Sequence, residues 1–166
     1  MKRNYSVLAS CLLAWVWLAN TAIADYRAAP ALDAMQRMQG QWQRHCHPSW
    51  DGDTRVYRRD FLSVDFTHLA FESKVYTDSD CRTERTQYSA RLRYLLPGEF
   101  FDVDGQKAFV LNAQWVQGES RFFRFPLLNI VAIGSGKLYF GRDYSGEPEA
   151  GHRLKRLDVA SPFIRH

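Results

Sequence analysis

Tyr88, Ala90, Leu92, Tyr94 and Leu96 alternate with Gln87, Ser89, Arg91 and Arg93. A strict period of two over that many positions makes one face apolar and the other charged. Only a strand with one side on a core and the other in water satisfies it. The same period returns where Leu69, Phe71 and Val75 alternate with Ala70, Glu72 and Lys74, and more loosely over Thr54 to Leu62. Ala108 to Val116 is apolar on both faces at its start, which predicts a strand covered from both sides. Phe122 to Ile133 has room for one or two strands, with Pro126 at an edge or bend. Lys137 to Arg142 reads as another strand, and either Leu154 to Val159 or Phe163-Ile164 closes the sheet.

Turn chemistry separates these runs. Asp51-Gly52-Asp53, Pro97-Gly98, Asp104-Gly105, Gln117-Gly118-Glu119, Gly134-Ser135-Gly136 and Ser145-Gly146-Glu147 punctuate the chain. Short strands between regular turns predict a sandwich or barrel, and no alternation of strands with helices argues for a parallel sheet. Aromatic residues at 14% suit the same β-rich core. Before the strands, Ala31, Leu32, Met35 and Met38 fall at helical spacing, predicting a short amphipathic helix that ends near Gly40 and packs its methionines on a barrel mouth.

The first 24 residues read differently. Lys2 and Arg3 precede an apolar run from Val7 to Ala19, and Ala22-Ile23-Ala24 offers a small-x-small cleavage site before Asp25. This is the pattern of a signal peptide over 1–24, leaving one domain over 25–166 that is exported to the periplasm or secreted. Leu8-Ala9-Ser10-Cys11 also spells a lipobox, but the apolar run continues past Cys11, which favours an ordinary leader residue over lipidation. Removing Lys2 and Arg3 lowers the formal charge of +4 by two, so charge gives no argument for nucleic acid or an anionic membrane. No later run is apolar enough to form a transmembrane helix. Of three cysteines, Cys46 and Cys81 remain, and an exported pair is expected to oxidise. Closing that loop stabilises by ~3.8 kcal/mol on loop entropy alone.

Gly40-Gln41-Trp42, after a short helix and at the opening of the first strand, resembles the Gly-x-Trp motif of lipocalins. Cys46-His47-Pro48, the segment Tyr76 to Cys81, Leu138-Tyr139-Phe140-Gly141 and Arg153 through Asp158 extend the likeness to small exported bacterial lipocalin-like domains over most of 38–165. The resemblance implies an antiparallel up-and-down barrel of about eight strands with a short N-terminal helix. It also implies that a basic residue near the C-terminus packs over Trp42 at the base; Arg156 and Arg165 both fit. The lipocalin Thr-Asp motif has no counterpart, since Thr77-Asp78 comes too early.

Chemistry in the sequence is thin. His45 and His47 share a face under strict alternation, with Cys46 opposite, but no third metal ligand is specified and Pro48 signals the strand's end. Gly134-Ser135-Gly136-Lys137 is a hairpin turn rather than a phosphate loop. Glu99, Asp102 and Asp104 beside Gly105 make a solvated turn. Arg121-Phe122-Phe123-Arg124-Phe125 reads as a strand with buried rings and snorkelling arginines, and export argues against nucleic acid. Neither catalysis, a metal nor a cofactor is expected. The leading expectation is a small apolar or amphipathic ligand held inside the barrel. Tyr88, Leu92 and Tyr94 on the regular strand, with Phe109 and Trp115, are the ligand-binding candidates, and Gly40 and Trp42 are structural. The alternative is a cell-envelope interaction or inhibitor module acting through its loops, with the barrel filled by its own aromatics.

Overall fold

A computed structural model describes residues 29–103, 105–118, 128–141 and 156–166. The leader, Cys11, the Arg121–Phe125 run and the turn at 145–147 lie outside these residues. The first element is a helix, α1, over 29–38. Nine strands follow among the described residues: β1 (Gly40–Asp51), β2 (Thr54–Val64), β3 (His68–Tyr76), β4 (Glu84–Leu95), β5 (Phe100–Val103), β6 (Gln106–Gly118), β7 (Leu128–Gly134), β8 (Lys137–Phe140) and β9 (Phe163–Arg165).

Every pairing is antiparallel, and the sheet closes on itself. β4 pairs with β6, and β9 pairs with both β8 and β1. The eight-membered ring β1-β2-β3-β4-β6-β7-β8-β9 is the up-and-down barrel expected from the sequence. β5 is not a ninth wall. It continues the line of β4 along the first half of β6, with Phe100 opposite Phe109 where β4 ends opposite Asn112. Pro97-Gly98 therefore interrupts a strand instead of reversing it. Pro97 has no N–H for the ladder, and the gap is spanned by Val110 N–H donating to the Glu99 carbonyl at 2.9 Å.

The β4 alternation holds residue by residue. Ala90, Leu92, Tyr94 and Leu96 are buried while Ser89, Arg91, Arg93 and Leu95 are exposed. Ala108 to Leu111 is buried on both faces because Leu157 and its neighbours cover the outside of β6 and β7, packing with Val103, Ala108, Ile130 and Ala132. Leu157 also bridges to Gly141, so both candidate closing segments contribute, with β9 making the ladder. In α1, Ala31, Ala34 and Met38 are buried against the barrel and Met35 packs beside them, whereas Leu32 is 52% exposed. The buried side of the helix thus runs through Ala34 rather than Leu32.

Gly134 faces Lys137 across a two-residue hairpin whose Ser135 and Gly136 have φ of 51° and 71°, the positive pair a type I′ turn needs. Gly118 sits where β6 crosses β4. A Cβ there would lie 2.5 Å from the Ser89 carbonyl oxygen, so only glycine fits.

Candidate ligand-binding interior

The barrel interior is layered from the α1 end upwards. At its base Trp42 is buried, and its indole N–H donates to the Met38 carbonyl at 2.7 Å. The Arg165 guanidinium stacks over the Trp42 ring at 4.6 Å and donates to the Arg37 carbonyl. The packing thus selects Arg165, not Arg156, as the basic residue over Trp42. Leu62 lies opposite Trp42, and it, Leu69, Leu92, Leu111 and Leu138 are closed to solvent. The same cluster includes three phenylalanines, with Phe71 opposite Leu62. Phe71, Phe140 and Phe163 have ring centroids 5.9–6.3 Å apart in tilted and edge-on arrangements.

Beyond this cluster the interior turns polar. Phase along β2 puts Val56, Arg58, Asp60, Leu62 and Val64 on one face, and Val56, Leu62 and Val64 are buried. Arg58 and Asp60 therefore point inwards with them. Asp60 accepts a hydrogen bond from Ser73 Oγ on β3 at 2.7 Å and faces Arg44 Nη1 of β1 at 3.7 Å. Arg44 also reaches Asp158 at 4.0 Å and stacks on Phe163 at 4.4 Å. Burial lowers the Arg44 pKa and the two carboxylates oppose that shift.

His47 joins the cluster through an irregularity. Between Arg44 and His47 the β1–β2 register slips, so Arg44 faces Asp60 and His47 faces Arg58. The extra residue of this bulge puts both Arg44 and His47 on the Asp60 side, with His47 Nε2 3.6 Å from Asp60. The expected pairing of His45 with His47 on one face is thereby corrected; His45 is exposed. A carbonyl only accepts, so His47 donates from Nδ1 to the His45 carbonyl at 3.0 Å, leaving Nε2 towards the carboxylate. The strand also continues through Pro48 to Asp51 instead of ending. Past Gln43, β1 has no β9 partner among the described residues, and a strand edge tolerates a residue without an N–H.

The Cys46–Cys81 disulfide joins this bulge to the β3–β4 loop, with 6.0 Å between Cα atoms. Asp78 organises that loop by accepting from the Arg82 and Thr83 N–H groups, which lowers its pKa.

Of the predicted ligand residues, Leu92, Tyr94 and Phe109 are buried in the apolar part and Trp115 packs against it. Tyr88 lies higher, half-buried, opposite Ser73 and therefore beside the polar layer. The Tyr94 hydroxyl is engaged, donating to the Asp65 carbonyl at 2.9 Å. Burial pushes its pKa up to about 12 against a hydrogen bond from Gln39. Phe109 also edges an open crevice of about 510 Å³ between α1 and the β7–β8 hairpin, where Arg37 pairs with Asp33. Sequence reasoning missed Arg44, Asp60, Arg58, Ser73 and Asp158. The available signal was phase: in β2 an arginine and an aspartate occupy the same parity as Val56, Leu62 and Val64.

No family model, curated protein or solved structure matches the chain. Among the described residues no helix is long and apolar enough to cross a membrane, and no three His, Cys, Asp or Glu side chains cluster to hold a metal.

Proposed function

We propose that this protein is an exported lipocalin-like barrel that carries a small amphipathic molecule in the disulfide end of its interior, without catalysis. The observation that carries the reading is the division of one interior into a packed apolar part and a polar layer of Arg44, Asp60, His47 and Ser73. A wholly apolar core would stabilise the fold as well or better, because buried ion pairs contribute little net stability. Polar groups held on rigid strands instead orient a ligand whose apolar part is buried at about 25 cal/mol per Å². Tyr88 and Trp115 would meet the ligand, with Leu92, Tyr94 and Phe109 as the packed floor beneath. The Trp42–Arg165 stack supports the lipocalin-like reading, and the disulfide with the leader pattern supports export.

Native mass spectrometry of protein taken from the export compartment tests this. The expected native mass exceeds the denatured mass by one small molecule, and the denatured mass corresponds to residues 25–166 less two hydrogens. A native mass equal to the denatured mass in every preparation would sink the carrier reading. The surface-module alternative draws on exposed side chains, above all Trp50 at 66% on the β1–β2 hairpin. It would gain from a stoichiometric envelope protein co-purifying with an empty barrel.

A further inference from the structure

We infer that the polar layer recognises a negatively charged head group, and that Arg58 is the residue that binds it. This rests on the carrier reading and names the ligand's chemical class: an anionic amphiphile. Arg44 is already engaged by Asp60 and Asp158. Arg58 is not. It lies on the same inward face, two positions along β2 from Asp60 and about 7 Å further towards the disulfide end. The Nε atoms of Arg44 and Arg58 are both removed from water with no acceptor, but among the described residues only Arg44 has carboxylates within ion-pair distance. An arginine with an unmet, buried N–H costs free energy unless an acceptor arrives. Its fork of donors matches a carboxylate, sulfate or phosphate group.

The surroundings agree with an anion at that place. The β1–β2 register sets His47 opposite Arg58, and β3 sets Val75 on its other side. The carboxylates nearby, Asp60 and Asp158, both face Arg44, and Asp60 also accepts from Ser73 Oγ, so their charge is shared before a ligand enters. The bulge that brings His47 to this face contains Cys46, so the disulfide ties down the strand segment that carries His47. Below, Phe71 and Phe140 present an apolar surface to the rest of the molecule.

Isothermal titration of the mature chain with dodecanoate and with dodecan-1-ol, at about pH 8 where a carboxylic acid is ionised, tests the inference. Dodecanoate is expected to bind about tenfold more tightly than the alcohol, as a charge-assisted pair requires. Arg58→Gln removes that preference and Arg58→Lys keeps most of it. Arg59→Gln is the control: it deletes the same charge one residue away, on the outward face opposite Lys74, and leaves the preference intact. Equal affinity for acid and alcohol overturns the head-group inference while leaving the carrier reading standing. Binding of neither overturns both. Loss of preference in Arg59→Gln as well as Arg58→Gln would reduce the effect to general surface charge and overturn the assignment to Arg58.

Discussion

The two ends of the barrel are closed by different physics. At the α1 end β1 pairs with β9, β8 with β9, and β4 with β6, so the ring of main-chain hydrogen bonds is complete. Inward side chains there are apolar, and Trp42 and Met38 are buried at the base. At the disulfide end β1 loses β9 after Gln43, and β4 loses β6 before Ala90, among the described residues. There the wall β1–β4 is held by a covalent bond across the bulge and by the Arg44–Asp60 pair facing inwards. An apolar, fully laddered end concentrates stability. An end fixed by a staple and an ion pair instead holds polar groups in a set geometry.

The comparison is broken most directly at the base. Trp42→Ala removes a fully buried ring, its hydrogen bond and the surface under Arg165, and should cost about 4 kcal/mol of global stability in denaturant unfolding. A loss under about 1 kcal/mol would show that the α1 end is not where the fold's stability resides. Cys46→Ser is next, at about 3 kcal/mol. Its signature is regional: amide exchange should quicken in the upper half of β1 and in 77–83 while the β6–β7 pairing keeps its protection. Uniform acceleration along the chain would erase the distinction between the two ends.

Tyr94 offers the smallest and sharpest probe. Tyr94→Phe should cost about 1 kcal/mol near neutral pH through the lost bond to Asp65. The folded-state phenol titrates near 12, above the value of 10.0 for a free one. The folded protein therefore holds this proton longer than the unfolded chain. Its contribution is complete below the unfolded pKa and is lost as pH rises through the folded one. Stability should fall between those two values in the parent and stay flatter in Tyr94→Phe. Parallel alkaline profiles would mean that Tyr94 is not sealed at the apolar end.

Much of this was legible in the chain. The alternation from Tyr88 to Leu96 fixed which face of β4 is buried, and Ala108 to Leu111 announced a strand covered on both sides. The site was legible only as a fault in a pattern. Arg58 and Asp60 stand in phase with Val56 and Leu62, and a period-two reading treats such residues as noise in a strand rather than as polar groups pointing inwards. Pro97-Gly98 misled for a related reason: the same pair marks a turn or a break, and only the continuation of β5 along β6 distinguishes them.

Local rules therefore determined the alternation of faces, the hairpin turns, the two cysteines suited to pairing and the tryptophan after α1. Each depends on residues within a few positions of one another. Tertiary structure alone decided that Arg165 covers Trp42, that a bulge turns His47 towards Asp60 beside Arg44, and that Arg58 has no carboxylate partner among the described residues. Those outcomes depend on partners brought together from distant strands, and a side chain's partner across a closed barrel is set by register and closure, which no local period encodes.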